Sequence, residues 1–278
     1  MRPWLGVCCF VASVVGLCWP ATPQGHPDAA PCPLLAEWRV GPWRVRVEPG
    51  GGPDEQRLTI ARAGVVLLER RAASFDLAPL RVGESLGKVA PGSDLDGDGT
   101  PDLAVVEWTG GVHASHRVRV YRLGATLRPL GSARTADPGV AAFERPTAGG
   151  PWTLRTHDWT FAGWRAAFAC SPAPEVALRF GPHGPRLAWE RMRRPLPAAE
   201  EAATALRADP AWARGEVPPG LWDAMLEALY AGDAPRAWSL LATAWPPGRP
   251  GQDAFRAAFL AQLAQSPYWP ELSARLGL

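Results

Sequence analysis

The residues best suited to chemistry lie in one short acidic stretch, Asp94 to Asp102. Aspartates occupy its positions 1, 3, 5 and 9, and the backbone carbonyl of Thr100 falls at position 7. Calcium takes about six to eight oxygen ligands, and alternate residues of a tight loop can turn their oxygens inward together. Gly97 and Gly99 allow the positive φ angles that such a loop needs. The spacing therefore predicts a calcium site with the ligands Asp94, Asp96, Asp98, Thr100 and Asp102.

Other interpretations of this stretch are weaker. An EF-hand would carry a glutamate at position 12, where this chain has Val105. Magnesium keeps several of its waters and rarely sits in an all-protein cage, which favours calcium. An acidic surface turn without metal is the remaining alternative. We expect the ion to be structural, pinning a loop between two strands, rather than to contact a substrate.

The acidic stretch also resembles a known motif. Asp94 to Leu103, with its Pro101-Asp102-Leu103 ending before an apolar run, resembles the calcium loop of FG-GAP and VCBS repeats. Those repeats occur in integrin-type propellers and in many secreted bacterial proteins, usually in several copies, and this chain carries one. The continuation through Glu107–Gly111 and Arg117–Leu123 looks like single-loop exported bacterial proteins of unknown function. The resemblance implies bound calcium and no particular activity.

The N-terminus predicts export from the cytoplasm. Arg2 precedes the uncharged run Trp4 to Trp19, which is shorter than the roughly 20 residues of a membrane span, and Pro20 ends it. We interpret residues 1–25 as a cleaved signal peptide, which predicts a periplasmic or extracellular protein. A lipid anchor at Cys18 and an uncleaved membrane anchor are the alternatives.

Cysteine content and net charge limit the surroundings of the mature chain. After the leader only Cys32 and Cys170 are left, and in an oxidising compartment they have one intramolecular pairing, a disulfide; two free thiols are the alternative. The formal net charge of +2 provides no field suited to nucleic acid or to an anionic membrane surface. Contact with a membrane is therefore expected only through the N-terminal signal or a lipid anchor.

The elements that must hold the acidic loop are strands. Residues 30–194 alternate apolar and polar side chains between turn signals, as in the segment from Trp43 to Glu48 and the hairpin turning at Ala63-Gly64. Residues 195–278 show helical periods, with Leu221, Met225 and Leu229 one helical turn apart. The predicted fold class is α+β: an antiparallel β-rich N-terminal domain followed by a small C-terminal helical domain.

No catalytic constellation stands out. Gly83-Glu84-Ser85-Leu86-Gly87 matches a hydrolase nucleophile elbow, but Pro91 and the acidic loop follow too closely for the helix that this motif requires. His113 and His116 lack a third zinc ligand. The aromatic-rich run Trp152 to Cys170 is interpreted as core, with a carbohydrate or peptide groove as the alternative.

These observations lead to a functional hypothesis about the whole chain. We expect an exported, calcium-stabilised binding or structural protein of the cell envelope, whose partner is an envelope protein or a glycan. The first alternative is a secreted hydrolase with an acidic active site that the sequence does not identify. The second is an adaptor that uses the helices between Leu221 and Leu263.

Overall fold

The computed structural model of the protein describes residues 34–82, 85–111, 116–135, 141–145 and 150–278. The predicted signal peptide, Cys32 and His113 lie outside the described residues. Pro33–Leu278 forms one compact unit. Within the described residues, no helix is long and apolar enough to span a membrane.

The β-strands of the described residues form three sheets. Their orders are β1-β2-β3-β4, β10-β9-β8-β5 and β14-β13-β12-β11-β6-β7, which we call the first, second and third sheet. The pairings are antiparallel apart from that of β11 with β6, which is parallel. The strands are β1 Ala36–Val40, β2 Trp43–Pro49, β3 Gln56–Arg62, β4 Val65–Ala72, β5 Ser74–Leu77, β6 Pro79–Val82, β7 Ser85–Lys88, β8 Asp102–Trp108, β9 His116–Leu123, β10 Leu127–Thr135, β11 Ala142–Glu144, β12 Thr153–His157, β13 Glu175–Arg179 and β14 Arg186–Leu187.

The hairpin between β3 and β4 shows how local sequence sets the first sheet. Ala63 and Gly64 have φ angles of 48° and 85°, the positive values that a type I′ turn requires at both central positions. Such a turn matches the twist of the strands that it joins. The predicted hairpin at Ala63-Gly64 is therefore confirmed.

The second sheet lies in the middle of the strand layers, and β8 is buried on both of its faces. Leu103 and Val105 belong to a core that they share with residues of the first sheet. Ala104 and Val106 belong to a larger core that includes residues of the third sheet and of the helices. Because both faces are covered, the strand is a continuous apolar run instead of an alternating one.

The helices follow the strands and pack onto the same larger core. Their apolar faces include Leu221, Trp222 and Phe259, each at most 1% exposed. Asp233 caps α4, accepting a hydrogen bond of 3.0 Å from the backbone N–H of Arg236. The α-helices are α1 Trp189–Met192, α2 Ala199–Arg207, α3 Pro219–Tyr230, α4 Ala234–Ala244, α5 Gln252–Leu263 and α6 Trp269–Leu276. The predicted α+β class, with antiparallel sheets preceding a helical C-terminal region, is confirmed.

A buried carboxylate, Asp158, joins the end of β12 to the helices. It is 4% exposed, and its Oδ1 accepts hydrogen bonds of 2.9 Å from the Thr160 backbone N–H and 2.5 Å from the Thr160 hydroxyl. Its Oδ2 accepts 2.5 Å hydrogen bonds from the hydroxyls of Tyr230 and Ser266. Burial, together with the charge of Asp158, raises the pKa of the Tyr230 hydroxyl, which therefore keeps its proton. A buried charge is tolerated when its oxygens are satisfied in this way.

We predict that the substitution Tyr230→Phe destabilises the whole unit, because it removes one donor from the buried Asp158. Losing a hydrogen bond to a buried charged group costs about 1–3 kcal/mol of unfolding free energy, measured by urea denaturation. Tyr268→Phe is the matched control, since Tyr268 is 8% exposed and its hydroxyl hydrogen-bonds to none of the described residues. Equal losses in the two variants would contradict the prediction.

Candidate metal centre

The acidic loop connects β7 to β8 and is closed at its base by backbone hydrogen bonds. The N–H of Gly92 donates to the carbonyl of Asp102 at 2.7 Å, and the N–H of Asp102 donates to the carbonyl of Ser93 at 3.0 Å. Gly97 and Gly99 have φ angles of 80° and 82°, which side chains other than glycine rarely adopt. The chain therefore makes a tight loop and enters β8 at Asp102.

The loop backbone is organised around the Asp94 carboxylate. Its Oδ1 accepts hydrogen bonds from the N–H groups of Gly97 and Asp98 at 2.8 and 3.1 Å, and its Oδ2 accepts one from Gly99 at 2.9 Å. Because these N–H groups turn toward Asp94, the carboxylate is held at the centre of the loop. Oδ2 accepts one hydrogen bond only and so keeps lone-pair capacity for a further partner.

Three of the predicted ligands converge. Carboxylate oxygens of Asp94, Asp96 and Asp102 lie within 4.8 Å of one another. Asp98 is outside this group: its Oδ1 accepts from the Thr100 N–H at 2.8 Å, and its Oδ2 lies 2.8 Å from Nη2 of Arg122. Coordination by Asp98 and by Thr100 stays a prediction.

Asp102 is the most unusual member of the cluster because it is fully buried and only half satisfied. It is 0% exposed; its Oδ2 accepts a 2.8 Å hydrogen bond from the N–H of Leu95, whereas its Oδ1 has no partner among the described residues. Burial raises the pKa of Asp102 to about 7, and the neighbouring charge of Asp96 acts in the same direction. Burial likewise raises the pKa of Asp96. Such a group needs a proton or a cation as its partner.

Arg122 contributes a positive charge that sequence reasoning missed. It lies directly opposite Asp102 in the pairing of β8 with β9. Its guanidinium bridges Asp96 and Asp98, while its Nε is buried without a partner among the described residues. Arg122 alternates in phase with the buried Val118 and Val120 of β9, and only the register between β8 and β9 places it beside the loop.

The donor set suits a hard cation. Its converging atoms are carboxylate oxygens, the donors that calcium and magnesium prefer. Among the described residues the cluster includes no nitrogen or sulfur ligand that would favour zinc. The unpartnered oxygen of Asp102 is the kind of buried polar atom that a bound ion satisfies. The residues present therefore fit a divalent cation.

The other sequence motifs do not form a second centre in the described residues. Ser85 begins strand β7, which pairs antiparallel with β6, so the helix that a nucleophile elbow requires does not follow it. His116 stacks on Trp108 with ring centroids 6.0 Å apart. The thiol of Cys170 is exposed and free, and its pairing with Cys32 stays a prediction.

The aromatic-rich run divides between core and cavity. Trp152 and Phe161 are 8% and 1% exposed and belong to the larger core. Trp159 stacks on Phe168 at 5.4 Å and borders a cavity of about 230 Å³. Among the described residues, the carboxylate that lines this cavity is Asp158, whose oxygens already accept four hydrogen bonds. The described lining therefore does not supply the pair of free acids that the alternative hydrolase would use.

Fold and site together define an α+β protein with a candidate divalent-cation loop at the start of its central buried strand. Comparisons with protein-family models, with curated proteins and with solved structures found no match for this chain. Functional inference therefore depends on the residues themselves.

We predict that the metal-free protein loses stability as the pH rises from about 4 to about 7. The pKa of Asp102 rises from 3.8 to about 7 on folding, so the folded state binds the proton more tightly than the unfolded chain. This contribution is complete below the unfolded pKa and is lost as the pH rises through the folded one. Thermal unfolding in EDTA across this range measures it.

Asp102→Asn is the control for this pH dependence, since the amide oxygen can still accept from Leu95 but cannot ionise. The variant should show a shallower loss of midpoint between about pH 4 and about pH 7. An unchanged slope would mean that Asp102 does not produce the pH dependence.

Proposed function

We propose that this chain is an exported protein of the cell envelope with a binding or structural role, stabilised by a calcium ion in the loop Asp94 to Asp102. The observation that carries the proposal is the Asp102 carboxylate, 0% exposed, with one oxygen unpartnered and with Asp94 and Asp96 close by. Three carboxylates so close together repel one another unless a cation lies between them.

Calcium is the cation that this site favours. It accepts irregular oxygen cages, whereas magnesium demands near-ideal octahedral geometry and retains its waters. Asp94, Asp96 and Asp102 supply the converging carboxylates. The Thr100 carbonyl and water are the proposed sources of further oxygens, and Asp98 becomes one when its contact with Arg122 is released. The likeness to FG-GAP and VCBS loops supports the same ion.

The proposed role of the ion is structural. It would neutralise the first residue of β8, the strand that contributes to both cores. Extracellular calcium modules bind with dissociation constants of about 0.1–1 mM. At a calcium concentration ten times the dissociation constant, binding to the folded state alone adds about 1.4 kcal/mol of stability.

The proposal also covers the compartment and the partner of the protein. The N-terminal leader would direct the chain to the periplasm or the exterior, where an oxidising environment also favours pairing of Cys32 with Cys170. An envelope protein or a glycan is the proposed partner. This part rests on sequence features outside the described residues.

We predict that calcium raises the thermal midpoint of the mature protein by about 3–6 °C over its value in EDTA, once calcium exceeds the dissociation constant about tenfold. Asp96→Asn should abolish most of this rise, because it neutralises a converging ligand. The matched control is Asp54→Asn, an exposed aspartate outside the loop, which should keep the full response.

A calcium response that survives in Asp96→Asn would place the ion elsewhere. If calcium does not raise the midpoint of the unmodified protein, the loop is an acidic turn without metal. Repeating the titration with magnesium tests the choice of ion, and an equal response to magnesium would argue against calcium selectivity.

A further inference from the structure

Arg122 occupies an unexpected position for a residue beside a calcium loop. Its guanidinium pairs with Asp96 and also lies 2.8 Å from Oδ2 of Asp98. The side chain is 17% exposed and that of Asp96 is 6% exposed, so water screens this contact only partly. The positive charge is therefore held against two of the four loop aspartates.

We propose that Arg122 is a built-in competitor of the calcium ion, which withdraws Asp98 from the ligand set and keeps the affinity of the loop low. This inference rests on the proposed calcium site and concerns how that site is tuned. It assigns to Arg122 the role of a resident counter-charge that keeps Asp98 away from the ion.

The division of the aspartates supports competition. Both oxygens of Asp98 are engaged, Oδ1 by the Thr100 N–H and Oδ2 by Arg122, and Asp98 is the loop aspartate that does not converge with the others. Its carboxylate is also the more exposed partner of Arg122, at 36%, so space exists for it to move once released. Asp98 is thus a potential calcium ligand that Arg122 keeps out of the ligand set.

A purely positioning role for Arg122 predicts the opposite effect. Groups that hydrogen-bond to metal ligands usually orient them and raise affinity. Arg122, however, brings a full positive charge beside the place of a divalent cation, and the two repel. The register of β8 with β9 fixes the base of Arg122 opposite Asp102, so the charge cannot retreat far along the chain.

The test is isothermal titration of the mature protein with calcium chloride after EDTA has been removed. Arg122→Gln should bind calcium roughly tenfold more tightly than the unmodified protein, the scale expected when one unit charge is removed from a partly solvated site. Arg117→Gln is the matched control on the same strand: it removes the same charge, but Arg117 forms no ion pair among the described residues. Its affinity should stay within about twofold of the unmodified value.

A double-mutant cycle with Asp98→Asn identifies the residue that is released. In the unmodified background Asp98→Asn should change calcium affinity little, because Asp98 is already held by Arg122. In the Arg122→Gln background it should remove most of the gain. If Arg122→Gln does not fold, Arg122→Lys replaces it, since a lysine keeps the charge but not the fork that bridges two carboxylates, and it should bind calcium with intermediate affinity.

The outcomes separate this inference from the proposed function. Equal or weaker calcium binding by Arg122→Gln, with binding by the unmodified protein intact, would overturn the competitor role and leave the calcium site standing. Binding by Arg122→Gln alone would support the competitor role and contradict resident calcium in the unmodified chain. Absence of binding in all variants would overturn both.

Discussion

The structure depends on placing an ionisable side chain at the first position of a strand that is buried on both faces. Asp102 cannot reach water from there, and its Oδ2 fixes the N–H of Leu95, a residue 1% exposed in the larger core. The carbonyl of Leu95 in turn accepts a 2.8 Å hydrogen bond from the N–H of Trp152, just before β12. One buried carboxylate thereby ties the loop, the second sheet and the third sheet together.

Two buried carboxylates in this chain meet the same physical demand in different ways. Asp158 has four donors on its two oxygens, supplied by a nearby threonine and by the helical region, and needs nothing further. Asp102 has one donor and one unpartnered oxygen, with further carboxylates beside it. Buried polar groups are rarely left unpaired. The contrast explains why Asp158 is a structural joint and Asp102 is a candidate cation ligand.

Local sequence patterns predicted the helices and the β3–β4 hairpin well, whereas the burial of β8 and the position of Arg122 depend on long-range contacts. Helices α3 to α5 could be predicted because their apolar residues recur at helical spacing and because Asp233 marks a start. The β3–β4 hairpin followed from its Ala63-Gly64 turn. The apolar run of β8, however, is compatible with several kinds of burial, and only the stacking of three sheets shows that both of its faces are covered. Arg122 was missed for the same reason, since its neighbours depend on the β8–β9 register and not on nearby sequence.

The arrangement of charges also bears on how the chain could fold without a bound cation. Without a cation, the loop concentrates aspartates beside a buried strand, and their repulsion opposes the closure that positions Leu95 in the core. Arg122 offsets part of that repulsion from within the chain, through its contacts with Asp96 and Asp98. Sheets and helices share the larger core. An increase in stability at the loop therefore also stabilises the helices through packing. Under the proposed function a modest ion affinity would then be sufficient: the arginine offsets the repulsion within the free chain, and an abundant ion would make the folded state more stable.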